Sequence, residues 1–311
     1  MVADADRCHI KHARLQPSFP VNALHKSLPQ CALRLAAIAL GCLPWAARAA
    51  PWQLQLSLGR GTPGGMIQVR ENDVQGTPLY IGPELGIHQV QHVIIGADDE
   101  LGNGRALVFH LDLARLYGET QFTNPVYFNG VQLAGGYPLT SDASWVNNWQ
   151  FTGLYRQPLY ASNGGIKLDA VMGFTYVGLT YSLQGHPAGS SNPGELSGDR
   201  TKEDFITQEL PVPQFGLRFE YPLDSNLDLD AGFTGGHLPR LYSLRNEGGK
   251  VYVTQTNQSA HLGLAYAAGA GLRLGFGWYD RYYMQYEQSA EDGNYIRLAE
   301  HGYYLSLGYR F

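Results

Sequence analysis

The sequence predicts an all-β protein, an antiparallel β-barrel that crosses a membrane. The first observation is that apolar residues recur at every second position in segment after segment, which is typical of strands with one apolar face. The second is the composition, with 38 glycines, 20 tyrosines and only 16% charged residues. The third is that short turns and long polar connections alternate along the chain, as they do in transmembrane barrels.

The N-terminal region has the organisation of an export signal. The apolar run at residues 33–43 follows basic residues and precedes Ala47-Arg48-Ala49, which fits the small-residue rule for cleavage. We therefore expect residues 1–49 to be an N-terminal extension with a cleavable signal peptide, and residues 50–311 to be one barrel domain. The alternatives are a buried helix, a membrane anchor or lipidation at Cys42. The apolar run is short for a spanning helix, and the lipidation pattern is only loosely matched.

Cleavage at this site would leave an acidic domain without cysteine. Cys8, Cys31 and Cys42 all precede the cut, so neither disulfides nor thiolate metal sites are expected. The removed segment carries six Lys/Arg and two Asp/Glu, which takes the net charge from −5 to −9. An acidic chain without a basic cluster is not expected to bind nucleic acid. No cofactor and no metal are predicted.

Ten segments carry the alternation, and ten strands are therefore the preferred count, with eight or twelve left open. Apolar side chains change parity between Leu58 and Ile67, which predicts a bulge or kink at residues 61–65. Short turns are expected at residues 101–104, 162–165, 224–226 and 267–270, with longer loops at the other end. The ten segments lie at residues 52–69, 93–97, 107–113, 149–155, 166–176, 215–221, 227–233, 262–266, 272–278 and 303–311.

The last strand resembles the C-terminal signal of Gram-negative outer-membrane barrels, which their assembly machinery binds. Its alternating residues are Tyr303, Leu305, Leu307, Tyr309 and the terminal Phe311. Residues 70–77 and 85–87 are also similar to stretches of uncharacterised small barrels. The resemblance implies a protein of the cell outer membrane, with periplasmic turns and extracellular loops, whose partners are outer-membrane lipid and the assembly machinery. A soluble sandwich is the alternative, but it does not explain why an export signal and a terminal phenylalanine occur together.

The strand parity opposite the apolar face is expected to line the lumen. Near the short turns this parity contains five basic and four acidic residues: Arg156, Lys167, Asp169, Arg218, Glu220, Asp228, Asp230, Arg273 and Arg310. A ten-stranded barrel is only slightly wider than the eight-stranded kind that side chains fill. Interleaved signs therefore favour an ion-pair network that closes the lumen, because unpaired charges in a confined site cost several kcal/mol. A charged constriction in an aqueous pore is the alternative.

The sequence contains no pattern that predicts catalytic residues. His110 and Asp112 share one strand face, but they are about 6 to 7 Å apart along it, and adjacent strands offer equally good partners. His237 lies near the loop end, where a histidine is usually solvated. Outer-membrane phospholipase and lipid A deacylase families place a histidine two residues from a serine, a spacing absent after residue 49. Omptin proteases use paired acids near the outer rim, whereas Asp98-Asp99 is predicted beside a short turn.

These observations favour a non-enzymatic outer-membrane barrel with a narrow, largely plugged lumen. Its surface loops would have a structural or ligand-binding role, and the extracellular ligand is not predicted. The first alternative is a narrow porin-like channel for a small solute. The second is an outer-membrane enzyme that modifies envelope lipid, as a hydrolase or acyltransferase.

Overall fold

The computed structural model describes residues 52–71, 74–187, 201–206, 210–243, 250–290 and 293–311. The predicted N-terminal extension and signal peptide, residues 1–49, lie outside the described residues. Every regular element in these ranges is a β-strand, and no helix in the described part of the chain is suited to crossing a membrane. The fold class is therefore all-β, as the sequence predicts.

The described strands are numbered in chain order. They are β1 (Trp52–Gln68), β2 (Leu79–Tyr80), β3 (Val90–Gly102), β4 (Arg105–Gln121), β5 (Val126–Phe128), β6 (Val131–Leu133), β7 (Pro138–Ala143), β8 (Asn148–Ala161), β9 (Lys167–Gly185), β10 (Thr201–Ile206), β11 (Val212–Pro222), β12 (Leu227–Tyr242), β13 (Tyr252–Gly269), β14 (Leu272–Gln288) and β15 (Gly293–Arg310).

Ten of the described strands pair in a closed antiparallel ring. The order around the ring is β1, β3, β4, β8, β9, β11, β12, β13, β14 and β15, and β15 pairs with β1 to close it. Strand β7 lies in line with β8, because β4 pairs first with β8 and then with β7. The short β2 pairs with β1, and β5 pairs with β6 as a separate hairpin. The ring closes these ten strands into a barrel, and β10 pairs with β9 beyond the ring.

Tight turns at one end of the barrel contain residues with positive φ. Between β3 and β4 the φ angles are 84° at Gly102, 54° at Asn103 and 75° at Gly104. Between β13 and β14, Gly269, Ala270 and Gly271 adopt 89°, 48° and 79°. Glycine and asparagine accept this conformation at little cost, which explains why the chain reverses there. We call this the short-turn end and the opposite one the loop end.

The outer surface of the barrel carries the apolar parity that the alternation predicts. Phe215 is 65% exposed and Leu305 is 62% exposed, although both are large apolar residues. Exposed residues of the same kind form a belt around the ring: Leu58, Ile95, Leu111, Met172, Phe174, Leu217, Phe233, Leu262, Leu264, Leu274, Phe276 and Leu307. A continuous exposed apolar belt of this extent is typical of a surface that contacts lipid.

The bulge predicted in the first strand is wrong. The pairing of β1 with β15 runs without a register shift from Gln53 opposite Arg310 to Gln68 opposite Tyr295. Gly65 has φ 116°, but the strand continues through it. The apolar residues change face because the barrel interior itself becomes apolar at this level, where Ile67 is fully buried.

The apolar interior at the loop end is a single core, which we call the outer core. Ring strands contribute Ile67, Val90, Leu116, Leu179, Leu183, Tyr283 and Ile296, β7 contributes Leu139, and the loops contribute Leu79, Ile81, Leu85, Ile87, Val126, Phe128 and Leu133. Two loop segments therefore fold against the inward faces of the ring strands. Backbone hydrogen bonds fix them, from Ile81 N to Gly65 O at 3.1 Å and from Thr77 N to Tyr127 O at 2.8 Å.

Candidate functional site in the barrel lumen

The inner charge network lies at the short-turn end and has Arg218 at its centre. Arg218 donates to Asp230 from Nε to Oδ1 and from Nη2 to Oδ2, both at 3.0 Å. The same guanidinium approaches Glu220 at 2.9 Å, and Glu220 in turn accepts from Lys167 Nζ at 3.0 Å. His261 Nε2 lies 3.6 Å from Asp230. Strands β9, β11, β12 and β13 are thereby connected through side chains.

The remaining predicted charges form smaller groups at the same end. Arg156 lies 3.7 Å from Asp169 and 3.9 Å from Asp98. Arg273 donates to Asp228 at 2.9 Å, and Arg310 donates to Glu100 at 2.7 Å. Each of the nine predicted lumen charges therefore has an oppositely charged neighbour. The partners Asp98 and Glu100 were not in the predicted set.

The tyrosine and histidine side chains Tyr304 and His261 point into the lumen and pack against glycines of neighbouring strands. A Cβ at Gly277 would lie 2.6 Å from the Tyr304 hydroxyl, and one at Gly263 would lie 2.5 Å from the same oxygen. A Cβ at Gly232 would similarly lie 2.4 Å from the His261 ring. Glycine is required at these positions because any side chain would overlap a ring, so the lumen is narrow at this level.

A second cluster of charges, which we call the outer charge ring, lies nearer the loop end. His92 Nδ1 is 3.0 Å from Asp112 Oδ1, and His92 Nε2 is 3.1 Å from Glu300 Oε2. Arg281 pairs with Asp112 and lies 3.6 Å from Glu300. Carboxylates only accept hydrogen bonds, so this arrangement suits a histidine with a proton on each nitrogen. Two acids and two bases then balance in charge.

The outer charge ring crosses the seam between the first and last strands. Its members lie on β3, β4, β14 and β15, which flank β1 on either side. At this level the inner face of β1 carries Gly59, Gly61 and Pro63, the last opposite Glu300. A Cβ at Gly59 would lie 3.1 Å from His92, and one at Gly61 would lie 2.5 Å from the Tyr279 hydroxyl. Because glycine has no side chain, Gly59 and Gly61 leave space in which side chains from β3 and β4 meet those from β14 and β15.

Two cavities lie along the lumen. The larger has an empty volume of about 680 Å³ and is bounded by the outer charge ring, by amides such as Asn148, Gln150 and Asn257, and by apolar residues of the outer core. The smaller, of about 430 Å³, lies beside Arg218, Asp230 and Tyr304. The smaller cavity is lined mainly by polar groups, whereas the larger one combines polar groups with a more extensive apolar wall, so both offer polar contacts to water or a small polar molecule.

The histidines considered from the sequence have separate environments. Asp112 pairs with His92 on the adjacent strand and has no recorded contact with His110. The His110 ring instead lies against Gly96, where a Cβ would be 3.0 Å away. His237 is exposed, and its Nδ1 lies 3.0 Å from Thr256 Oγ1.

Sequence reasoning did not identify the outer charge ring. The parity rule places His92, Arg281 and Glu300 on the lumen side, but it was applied only near the short turns. Extending the rule along each whole strand would have found these residues, although not their mutual contacts. Within the described residues no cluster of histidines, cysteines or acids is arranged to hold a metal ion.

One tyrosine, Tyr181, is buried in the outer core beyond the apolar belt. Tyr181 on β9 is completely buried in the outer core and stacks edge-on with Phe128, with ring centroids 6.1 Å apart. Burial raises the pKa of its phenol, so Tyr181 stays neutral at any physiological pH. It therefore contributes packing to the core and no charge.

Known structures resemble this chain in fold. The outer membrane protease OmpT of Escherichia coli matches with a TM-score of 0.50 at 11% identity, over 83% of this chain and 97% of that one. The translocator domain of the autotransporter NalP from Neisseria meningitidis has a TM-score of 0.33 at 15% identity, over 91% and 96%. The Pseudomonas putida toluene transporter TodX has a TM-score of 0.33 at 10% identity, over 86% and 90%. The fold is that of an outer-membrane β-barrel.

No protein-family model matches the chain, and no curated protein matches it in sequence. At these identities the structural likeness establishes the fold alone. Membrane barrels of this kind include a protease, translocator domains and a transporter, so the function of this barrel has to be argued from its own lumen and surface.

Proposed function

We propose that this chain is a non-enzymatic protein of the Gram-negative outer membrane whose barrel lumen is plugged. The observation that carries the proposal is the outer core. Loop residues Ile81, Leu85 and Phe128 are fully buried against inward-facing residues of the ring strands. Apolar side chains packed across the barrel interior exclude water and solutes from that level.

The inner charge network supports the same proposal at the opposite end. All but one of the ion pairs described there join side chains from different strands, the exception being Arg218 with Glu220 on β11, and Arg218 contacts two carboxylates at about hydrogen-bond distance. An open aqueous pore would leave such charges free to hydrate, whereas a filled lumen stabilises them through pairing. Two barriers of different chemistry would then separate the cavities from either side of the membrane.

A non-enzymatic role is supported by the contacts of the histidine in the outer charge ring. Both ring nitrogens of His92 are occupied by carboxylates, which leaves no lone pair to accept a proton from a nucleophile. The surface loops would accordingly have a structural or ligand-binding role. A lipid hydrolase or acyltransferase is the enzymatic alternative, and turnover of envelope phospholipid by the purified barrel would favour it.

Export and assembly are part of the proposal. The segment before residue 50 is proposed to be a cleaved signal peptide, and Tyr303, Leu305, Leu307, Tyr309 and Phe311 to be the signal for the assembly machinery. The support for the latter is positional, because all five residues are exposed on the outer face of the last strand, beside the closing seam.

A narrow porin-like channel is the second candidate function. The specific observation in its favour is that two cavities with polar groups in their walls lie along one lumen. A moderate displacement of the loops of the outer core would join the larger cavity to the outside. The channel hypothesis therefore requires these loops to open, whereas the plugged barrel requires them to stay in place.

Swelling of liposomes in solutions of small sugars distinguishes the two functions. We expect no swelling above that of protein-free liposomes for the wild type, and measurable swelling for Phe128→Ser, which removes a fully buried ring from the outer core. Tyr127→Ser is the matched control, since Tyr127 precedes Phe128 in the same strand but is exposed. Rapid swelling with the wild type would support the channel and contradict the plug.

A further inference from the structure

A row of polar residues borders the apolar belt on its loop side. On five consecutive ring strands the first outward position above the belt is polar: Arg115 on β4, Gln91 on β3, Arg60 on β1, His301 on β15 and Asp280 on β14. We call these residues the boundary row. Leu58, two residues below Arg60 on the same face, is 58% exposed. The change from apolar to cationic therefore occurs within one step of the strand.

The two arginines lie on either side of one glutamine. Gln91 is paired in register with Arg60 on one side and with Arg115 on the other. Neighbouring strands are about 4.8 Å apart, so the Cα atoms of the two arginines are separated by about 10 Å. Side chains as long as those of arginine can converge from this distance on a single anion, with the Gln91 amide between them.

Neither arginine has a counter-ion in the part of the chain that the structure describes. Among the described residues, no carboxylate forms a salt bridge with Arg60 or Arg115. The nearby Glu119 accepts a hydrogen bond from Tyr117, and Asp280 lies opposite His301 two strands from Arg60. The row is thus a local excess of positive charge on a chain whose formal net charge is −5.

The depth of the boundary row in the membrane limits which anions can neutralise its positive charge. An arginine on the lipid face costs about 2–4 kcal/mol at the bilayer midplane but about 0–1 kcal/mol near the interface. The Arg115 guanidinium points towards the loop end, with Cζ 5.6 Å from the Tyr117 ring centroid, and so leaves the apolar belt. The anions at this level of a membrane are lipid phosphates, which arginine binds with two parallel hydrogen bonds.

We propose that Arg60, Gln91 and Arg115 bind the phosphate of a lipid headgroup in the outer leaflet, and that the ligand is a glycolipid carrying phosphate monoesters. This inference rests on the outer-membrane location in the proposed function but not on the plugged lumen. Binding would fix one lipid against β1, β3 and β4, close to the seam with β15. The positive charge of the two guanidinium groups and their paired N–H donors would hold the phosphate, and no enclosed pocket is needed.

Titration of the detergent-solubilised barrel with bis-phosphorylated lipid A, followed by native mass spectrometry, tests the inference. The double variant Arg60→Gln with Arg115→Gln should bind lipid A at least about tenfold more weakly than the wild type, since it loses two charge-assisted contacts. The matched control is Arg105→Gln with Arg297→Gln, which removes two positive charges outside the row. This control should bind as the wild type does.

Two further probes identify the source of the phosphate. Dephosphorylated lipid A should bind the wild type as weakly as lipid A binds the double variant, and inorganic phosphate at equal concentration should not compete. Equal affinity of the Arg60/Arg115 variant and the Arg105/Arg297 control for lipid A, or full competition by inorganic phosphate, would overturn the inference. Arg60→Lys, which keeps the charge but loses the fork, should bind with intermediate affinity. A wild-type chain found outside the outer-membrane fraction would instead overturn the proposed function.

Discussion

Arg218 holds Asp230 through two parallel hydrogen bonds of 3.0 Å each, across the strand pair β11–β12 in the lumen. The forked geometry and the low exposure of both side chains, 21% and 19%, make this the strongest contact of the inner charge network. Asp228, two residues earlier on β12, binds Arg273 at 2.9 Å and is more exposed. The first prediction concerns these two carboxylates.

Replacing Asp228 and Asp230 by alanine should destabilise the barrel and increase its leak. Removal of Asp230 leaves Arg218 buried without its main partner, which costs up to about 3–5 kcal/mol in a dry site and less where water enters. Urea unfolding in detergent measures the stability, and ion conductance in planar bilayers measures the leak. Glu100→Ala, which breaks the exposed pair with Arg310, is the control and should change stability by about 1 kcal/mol or less. A stable double variant with altered ion selectivity would favour the channel instead.

The outer charge ring should be sensitive to loss of a single charge. Glu300→Gln leaves His92 and Arg281 with one carboxylate between them, and we expect the free energy of unfolding to fall by about 3 kcal/mol. His301→Gln alters the adjacent but exposed residue, so it should have little effect. The comparison is made by urea unfolding of both variants. Equal stability of Glu300→Gln and His301→Gln would show that the ring contributes nothing to the closed barrel.

Arginine substitutions test the assignment of faces. Leu217→Arg puts a charge on the apolar belt and should cost about 2–4 kcal/mol if the position is near the bilayer centre. Gly277→Arg faces the lumen, where even a Cβ lies 2.6 Å from the Tyr304 hydroxyl, so it should act through crowding. Transfer from detergent into lipid should worsen the first variant and leave the second unchanged. Mild and equal losses for Leu217→Arg, Phe174→Arg and Leu274→Arg would contradict the assigned parity.

The C-terminal strand should be required for assembly as well as for stability. We expect Tyr309→Ser with Phe311→Ser to leave the chain in the periplasm, where proteases degrade it. Leu274→Ser with Phe276→Ser removes a similar amount of exposed apolar surface from β14 and should still reach the outer membrane. Cell fractionation followed by immunoblotting measures both. Normal outer-membrane levels of the Tyr309/Phe311 variant would exclude the assembly signal.

Most of the barrel wall was predictable because a lipid-facing strand carries apolar residues at every second position, a pattern that can be read from the sequence alone. Leu305 and Leu307 must face lipid if Arg310 faces the lumen, and period-two alternation is enough to assign them. The same rule put Arg218 and Asp230 on one side of adjacent strands. Local turn chemistry at Gly102-Asn103-Gly104 likewise depends on neighbouring residues only.

The outer core was not predictable from these rules. Ile67 lies on the lumen parity, so an apolar residue there breaks the rule that apolar means outward, and the resulting bulge prediction was wrong. The contacts that bury Phe128 depend on how two loops fold inside the ring. Asp98 was predicted beside a short turn but was not included among the lumen charges, although it faces the lumen and approaches Arg156.

The outer charge ring depends on long-range register. His92 and Glu300 are 208 residues apart and meet only because β1 pairs with both β3 and β15. A shift of one residue in either pairing would turn one of the two side chains to the opposite face. Sequence patterns give the parity of each strand but not the register across the closing seam.

Single-channel conductance of the wild-type protein in planar lipid bilayers tests the plugged barrel most directly. If the outer core and the inner charge network both close the lumen, the refolded barrel should insert and give no resolved conductance steps. Destabilised variants such as Phe128→Ser should give brief openings under the same conditions. Stable, long-lived conductance steps from wild-type protein would contradict the account and make the chain a channel.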